Sequence, residues 1–262
     1  DMKTYFNEIW DHKYSKDVLP VTRFLFKKTA DKKVNELQSK AHIAKEMYQD
    51  QFDRMPDLKS ISQKTNKISF IHNPLSRFNK EPWVWSTLTT LMKDAKESVF
   101  IQSPYTIPSK KMTEKFIHLD QKKITLLTNS LKSTPNLPAF SGYLNYRNKM
   151  VDQGIDILEL QSKDSLHSKA FVYDKELVAI GSFNLDPRSA FLSTESMVVI
   201  HSEEAVAKFG LNIFNYTDHS LLVDKDGTYK ENPDTLELQA PFMKRLLYKI
   251  FSFFVKPFEN LL

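Results

Sequence analysis

The residues that could carry chemistry are concentrated between positions 167 and 184. His167 and Lys169 are two residues apart in a stretch that is typical of a β-strand, and Asp174, Ser182 and Asn184 follow them. Because alternate residues of a strand point to the same side, we expect the imidazole and the ammonium group to lie next to each other. Each positive charge would disfavour the other. The pair is therefore useful where both groups face an anion such as a phosphate.

This set of side chains suits the cleavage of a phosphodiester. An imidazole can attack phosphorus or protonate a leaving oxygen, and an ammonium group can neutralise the charge that develops on the other phosphate oxygens. Ser182 and Asn184 follow a glycine in a turn and can donate further hydrogen bonds to those oxygens. Asp174 is an odd number of positions from Lys169 and should face away from it, so we interpret Asp174 as a structural anchor.

The elements that must position these residues alternate between strands and helices. The hydrophobic pattern predicts strands over 67–72, 99–105, 124–130, 155–160, 169–174, 177–182 and 193–200, and helices over 83–98, 110–121, 142–153 and 202–217. Only Lys175 and Glu176 separate two of the strands, which is a hairpin spacing. The alternation predicts an α/β fold with a mixed β-sheet flanked by helices on both faces.

Further helices are predicted on either side of this region. Residues 30–54 are polar and rich in helix-forming residues, which predicts an exposed helix. We therefore assign 1–66 to an N-terminal helical arm, 67–240 to the domain that carries the motif, and 241–262 to a C-terminal amphipathic helix.

The C-terminal helix is basic as well as amphipathic. One side carries Arg245, Lys249, Ser252 and Lys256, and the rest carries Phe242, Leu246, Leu247, Ile250 and Phe254. Such a helix lies in a membrane interface or docks on protein, and the sequence leaves both alternatives open.

The composition narrows the choice of partners. The chain has 262 residues and no cysteine, which excludes disulfides and thiolate metal sites. Its net charge of +5 favours anionic partners: phospholipid headgroups, nucleic acid or a phosphorylated substrate. The chain begins at Asp1 with an amphipathic pattern already under way, so we expect it to be the inside of a longer protein.

The motif resembles a known family signature. His167, Lys169, Asp174, the pair Gly181 and Ser182, and Asn184 occupy every fixed position of HxKxxxxDxxxxxxGSxN, the signature of the phospholipase D superfamily. Further similarity to the cardiolipin-synthase-like bacterial branch, and in particular to its C-terminal half, extends over 103–108, 127–130, 142–150 and 184–195.

The resemblance implies a role for each residue. His167 and Lys169 match the catalytic pair, Ser182 and Asn184 match the phosphate-binding residues, and Glu195 stands where the family has the acid that orients the histidine. The resemblance implies no metal and no other cofactor. Tyr105 ends a predicted strand beside a proline and is our candidate for lining the substrate groove.

The resemblance also implies that this chain carries half of a site. Family members bring two such motifs together across a pseudo-twofold axis, whereas no other histidine here has a lysine two residues later. We expect the second motif to come from an N-terminal half of the same protein or from a second copy of this chain.

The function implied is that of a phosphatidyltransferase. The phosphodiester is cleaved through a phosphohistidine and transferred to an alcohol, which in cardiolipin synthesis is phosphatidylglycerol. Because the N-terminal motif of the family usually supplies the nucleophile, His167 would act as general acid and then as base, although the nucleophilic role stays open. We expect a phosphatidylglycerol-like substrate and a peripheral location at the cytoplasmic face of a bacterial inner membrane, with secretion as the alternative.

Two other functions fit the same residues. One is hydrolysis of the phosphodiester by a phospholipase D or a nucleic-acid phosphodiesterase, although we expect no nucleic-acid partner. The other is a non-catalytic lipid-binding or scaffold remnant. The intact His167, Lys169 and Asn184 argue against a remnant, because a decayed site normally loses one of these residues.

Overall fold

A computed structural model describes residues 1–17, 27–49, 57–76, 80–114, 123–255 and 257. The chain divides into two compact units, Asp1–Gln63 and Lys64–Leu262. The three-part division predicted from the sequence, with boundaries after residues 66 and 240, stays a prediction.

The first unit is helical. It contains α1 (Met2–Trp10), α2 (Lys27–Met47) and α3 (Leu58–Ile61). Nearly all of the described side chains of α2 are exposed, which confirms the helix predicted from residue 30 onward. Residues 50–54 of that prediction lie outside the described residues.

The second unit is built on one mixed β-sheet. Its strands are β1 (Lys67–His72), β2 (Ser98–Gln102), β3 (Lys123–Asn129), β4 (Ile155–Leu160), β5 (Lys169–Tyr173), β6 (Leu177–Gly181), β7 (Ser196–His201) and β8 (Ser220–Leu222). The spatial order is β1-β7-β6-β5-β2-β3-β4-β8. Strand β3 runs parallel to β2 and β4, and the other neighbouring pairs are antiparallel. Every predicted strand is present, and β5 and β6 form the predicted hairpin.

Six helices of the described chain accompany the sheet: α4 (Trp83–Asp94), α5 (Lys110–Thr113), α6 (Leu137–Asp152), α7 (Pro187–Phe191), α8 (Glu203–Thr217) and α9 (Phe242–Val255). Helix α6 begins five residues before the predicted start, because the side chain of Asn136 caps it by accepting a hydrogen bond from Ala139 N. The helix predicted over 110–121 is described only as the short α5, and residues 115–121 lie outside the described residues. No helix of the described residues is long and apolar enough to span a bilayer.

Apolar side chains cover both faces of the sheet. On one face, buried residues of α4 and α6, such as Leu88 and Met150, join the inward residues of the central strands in the main core. On the other face, Ile213 of α8 packs with Leu127 and Leu160 in a smaller cluster. Helices on both faces of a mixed sheet confirm the predicted fold class.

One edge of the sheet gathers the chain segments that carry the motif. Strands β2, β3 and β4 end there, β5 begins there opposite the end of β2, and β6 ends where β7 begins. We call this the site edge. It brings together residues that are far apart in sequence, as the carboxyl ends of parallel strands commonly do in α/β proteins.

Candidate functional site

His167 and Lys169 lie side by side at the site edge. The Lys169 Nζ atom is 3.3 Å from Nδ1 and 3.4 Å from Nε2 of His167, and it donates a hydrogen bond to His167 O over 2.7 Å. The predicted adjacency is therefore confirmed. The prediction that both residues lie on the strand is wrong for His167, because pairing with β6 begins only at Lys169. The imidazole is exposed, whereas Lys169 is buried beneath it.

A buried asparagine fixes the segment that carries His167. The side chain of Asn129, at the end of β3, donates to Leu166 O over 3.0 Å and accepts from Leu166 N over 2.9 Å. A side-chain amide that pairs with both backbone groups of one residue restricts that residue as a backbone partner in a sheet would. Asn129 therefore positions the residue directly before His167.

Tyr105 lies next to the imidazole, and its predicted place in a substrate groove stays a prediction. The rings of Tyr105 and His167 meet edge to face, with centroids 6.4 Å apart and planes at 84°. Ser103 Oγ holds this segment in place by donating to Tyr105 O over 2.6 Å and accepting from Leu185 N over 3.1 Å. Ser103 thus links the segment after β2 to the segment after β6.

The Gly-Ser-x-Asn segment lies where β6 meets β7. A Cβ atom on Gly181 would lie 2.2 Å from Ser196 O, so only glycine allows the two strands to approach so closely. Ser182 Oγ accepts a hydrogen bond from Ser196 N over 3.1 Å. Asn184 Oδ1 is buried and has no hydrogen-bond partner within the described chain. This oxygen is a hydrogen-bond acceptor and suits an N–H or O–H donor, whereas a phosphate oxygen would need the N–H groups of the same amide.

Asp174 stands at the other end of β5. Its carboxylate accepts hydrogen bonds from the backbone N–H groups of Lys96, Glu97 and Ser98 over 2.9, 2.8 and 2.9 Å. Its own backbone is left-handed, with φ of 52°. These contacts join the β5–β6 turn to the start of β2 and agree with the interpretation of Asp174 as an anchor, away from His167.

Charged groups surround Lys169. Burial lowers the pKa of Lys169, while the negative charges of Glu195 and Asp186 act in the opposite direction. The pKa of Asp186 is raised to about 6. Burial is the main cause and Glu195 also raises this pKa, whereas the hydrogen bonds from Ser189 lower it. No hydrogen bond of the described residues joins Glu195 to His167, so the orienting role of Glu195 stays a prediction.

Two charged residues of this environment were missed from the sequence. Lys80 is 5% exposed, and burial lowers its pKa while Glu195 raises it. Asp186 caps α7 by accepting a hydrogen bond from Ser189 N over 2.6 Å. The Asp-Pro pair at 186–187 is a helix-start signal that could have identified the cap. Nothing local to Lys80 signals its position, since tertiary packing places it near Glu195.

Four other aromatic residues of the domain lie away from the imidazole. Trp85 and Tyr143 belong to the main core, Tyr146 packs against that core, and Trp83 contacts His72 with ring centroids 6.2 Å apart. Their positions leave Tyr105 as the aromatic residue of this set that touches the imidazole.

A surface cavity of about 590 Å³ opens beside the segment that leads to His167. Its lining includes Gln161, Asp164, Ser165, Asn212 and His219. These side chains offer several hydrogen-bond donors and acceptors together with one carboxylate. Such a lining suits a group rich in hydroxyls better than a second anion.

The arrangement offers groups that suit one side of a phosphodiester undergoing cleavage. An exposed imidazole offers a nucleophile or a proton, and a buried ammonium group lies against it. Fixed positive charge and hydrogen-bond donors favour the charge that develops on a phosphate in a transition state.

Comparison with known proteins points to the same chemistry. The family model described as cardiolipin synthase, PLD-like domain, matches residues 88–216. This range contains the whole motif from His167 to Asn184, as well as Tyr105 and Glu195.

Several curated relatives carry cardiolipin synthase names, and two of them illustrate the range. Cardiolipin synthase C of Escherichia coli is 34% identical over 135 residues, which cover 44% of this chain and 28% of that protein. Cardiolipin synthase A of Buchnera aphidicola subsp. Acyrthosiphon pisum is 28% identical over 207 residues, which cover 76% of this chain and 39% of that protein. The chain therefore spans well under half of the length of either relative.

Among solved structures, a phosphatidylserine synthase of Haemophilus influenzae shares the fold. The TM-score is 0.55 at 14% identity, and the match covers 74% of this chain and 48% of that chain. At this identity the likeness supports the α/β architecture alone.

Proposed function

Because residues 88–216 make this chain a cardiolipin-synthase-like member of the phospholipase D superfamily, we propose that it is one catalytic half of a phosphatidyltransferase. The reaction cleaves a phospholipid phosphodiester and transfers the phosphatidyl group to an alcohol. The observation that carries this proposal is the contact of Lys169 Nζ with both ring nitrogens of His167 at 3.3 and 3.4 Å.

The proposed reaction has two steps. In the first, an imidazole nitrogen attacks phosphorus, and the phosphorus–oxygen bond to the leaving alcohol breaks as a second imidazole protonates that oxygen. In the second, the now neutral second imidazole takes a proton from the incoming alcohol, whose oxygen displaces the histidine from phosphorus. We assign the proton-transfer role to His167, the neutralisation of phosphate charge to Lys169, and a hydrogen bond from the side-chain N–H of Asn184 to a phosphate oxygen.

The incoming alcohol is proposed to be a phosphatidylglycerol-like lipid. Its glycerol headgroup carries hydroxyls, for which the polar cavity beside residues 161–165 is suited. Transfer to water in place of the alcohol would make the same site a phospholipase. The two reactions share every residue of the site.

The reaction needs a second histidine on the far side of phosphorus. Among the histidines that the structure describes, His167 alone has a lysine ammonium group within hydrogen-bond distance of its ring. His118 lies outside the described residues. We propose that an N-terminal half with the same motif supplies the second imidazole. The chain's coverage of only 28% and 39% of its two named relatives supports this proposal.

The test is the product formed by an enzyme with both motifs. With phosphatidylglycerol vesicles we expect cardiolipin and glycerol, and with single-stranded DNA we expect no cleavage. His167→Ala should lower turnover by about 10²–10⁴, and Lys169→Ala by about 10²–10³. His201→Ala is the matched control, since His201 lies at the end of β7 remote from the site edge. Cleavage of DNA with no lipid product would replace the proposal with a nuclease.

A further inference from the structure

Helix α9 docks on its own domain through Lys244, Tyr248 and Val255; Val255 is buried, and the ring of Tyr248 meets that of Phe140 with centroids 6.3 Å apart. Lys244 Nζ donates hydrogen bonds to Lys132 O over 3.1 Å and to Thr134 O over 2.6 Å. Ser141 Oγ of α6 donates to Tyr248 O over 3.2 Å. These residues define the inner side of α9, where the ammonium group of Lys244 is hydrogen-bonded to backbone carbonyl groups.

The opposite side of α9 is apolar and exposed. Phe242 is 71% exposed and Phe254 is 61% exposed, and Met243, Leu246 and Ile250 lie between them with exposures from 44 to 60%. These residues recur at intervals of three and four, so they form one face. An amphipathic helix in water normally buries this face against the core. Within the part of the chain that the structure describes, this face of α9 stays exposed instead, so it is an apolar surface available to a partner.

The charges beside this face are positive. The sequence from 242 to 255 contains Lys244, Arg245 and Lys249 and no aspartate or glutamate. Arg245 is exposed and lines a groove of about 330 Å³ together with Phe242, Leu246 and Tyr248. An apolar face with an exposed arginine beside it complements a bilayer interface, in which anionic headgroups lie next to an apolar interior.

The beginning of α9 lies at the site edge. Lys132 and Thr134, which Lys244 contacts, follow the end of β3 by a few residues. The same strand end carries Asn129, which holds the backbone of Leu166 next to His167. The apolar face therefore begins on the side of the domain where substrate would enter.

We propose that the exposed face of α9 lies in the interface of an anionic phospholipid bilayer and presents the site edge to its substrate. This inference rests on the proposed function in that the substrate is a membrane lipid. The charge beside this face argues against a second copy of this chain as the occupant, because two α9 helices packed face to face would each bring an exposed Arg245 to an interface to which α9 itself contributes no acid. A bilayer rich in phosphatidylglycerol supplies the missing negative charge.

The test is co-sedimentation of the 262-residue chain with vesicles of phosphatidylglycerol and phosphatidylcholine. Phe242→Glu/Ile250→Glu should weaken binding at least about tenfold, because it places two charges in the buried face. The matched control is Leu211→Glu/Leu236→Glu, which adds the same charge at leucines that are 76% and 78% exposed elsewhere in the domain. Binding of the wild-type chain should also weaken as salt rises, and should be weaker on pure phosphatidylcholine.

Equal loss of binding in both double variants would overturn the proposal, since net charge alone would then explain the effect. So would unchanged vesicle binding of the α9 variant. If that variant instead lost self-association in light scattering while still binding vesicles, a second copy would be the occupant. Thermal unfolding of each variant shows whether the domain remains folded. His167→Ala should bind vesicles as the wild type does, which separates this inference from the catalytic proposal.

Discussion

Asp174→Ala should destabilise the domain without altering the chemistry of the site. The substitution removes three hydrogen bonds to the backbone N–H groups of Lys96, Glu97 and Ser98. Two of these donors belong to exposed residues and can turn to water, so we assign each bond about 1 kcal/mol. The left-handed φ of 52° adds about 1 kcal/mol once alanine must adopt it. The expected loss is about 4 kcal/mol of unfolding free energy.

Asp174→Asn separates the two contributions. Asparagine tolerates the left-handed conformation and keeps one acceptor oxygen, so the expected loss is about 2 kcal/mol. Denaturant unfolding followed by circular dichroism measures both variants. For a domain of this size a loss of about 4 kcal/mol corresponds to a fall in Tm of about 8–16 °C.

Two results would refute this reasoning. Equal stability of the alanine and asparagine variants would show that neither the lost acceptor nor the backbone conformation matters. A loss of turnover in Asp174→Ala, measured per folded molecule well below its Tm, would give Asp174 a part in the reaction. Its position at the end of β5 away from His167 predicts that such turnover is unchanged.

Three further predictions concern the site edge. Gly181→Ala should cost at least about 3 kcal/mol of unfolding free energy, because its Cβ would force β6 away from Ser196; a wild-type denaturation midpoint would contradict it. Burial raises the pKa of Asp186 to about 6, so the folded state favours the protonated carboxyl. This contribution to the unfolding free energy is fully present below pH 4 and is lost as the pH rises through 6. Asp186→Asn keeps the helix cap and should gain about 3 kcal/mol relative to the wild type between pH 4 and 7; a constant difference in denaturant melts would count against this. Glu195 raises the pKa of Lys169, so Glu195→Gln should move the alkaline limb of the pH–rate profile to lower pH. An unchanged alkaline limb would show that Glu195 does not influence the pKa of Lys169.

Much of the fold could be predicted because local pattern and packing agree. The strand over 67–72 follows its alternating residues, and the β5–β6 hairpin follows the short spacing between two apolar runs. Strand β8 has three residues, too few to show a period. Helix α6 starts early because Pro138 stands in its first turn, where proline is tolerated, although it resembled a loop residue in the sequence.

The site was predictable to the extent that its residues share one motif. The adjacency of His167 and Lys169 follows from their spacing, whereas Lys80 and Asp186 reach the same environment through tertiary packing, which no local pattern contains. The orientation of α9 was equally hidden. Amphipathicity shows that a helix has two faces, but not that Lys244 finds carbonyl partners at Lys132 and Thr134, which fix the side of α9 that meets the domain.

The half-site proposal is tested most directly by the rate at which cardiolipin forms from phosphatidylglycerol vesicles when this chain is mixed with an N-terminal half that carries the second motif. We expect no product from either half alone, turnover from the mixture, and loss of that turnover when the mixture contains His167→Ala. Turnover by this chain alone that rises with the square of its concentration would replace the partner half with a second copy. Full turnover in the His167→Ala mixture would contradict the assignment of the site itself.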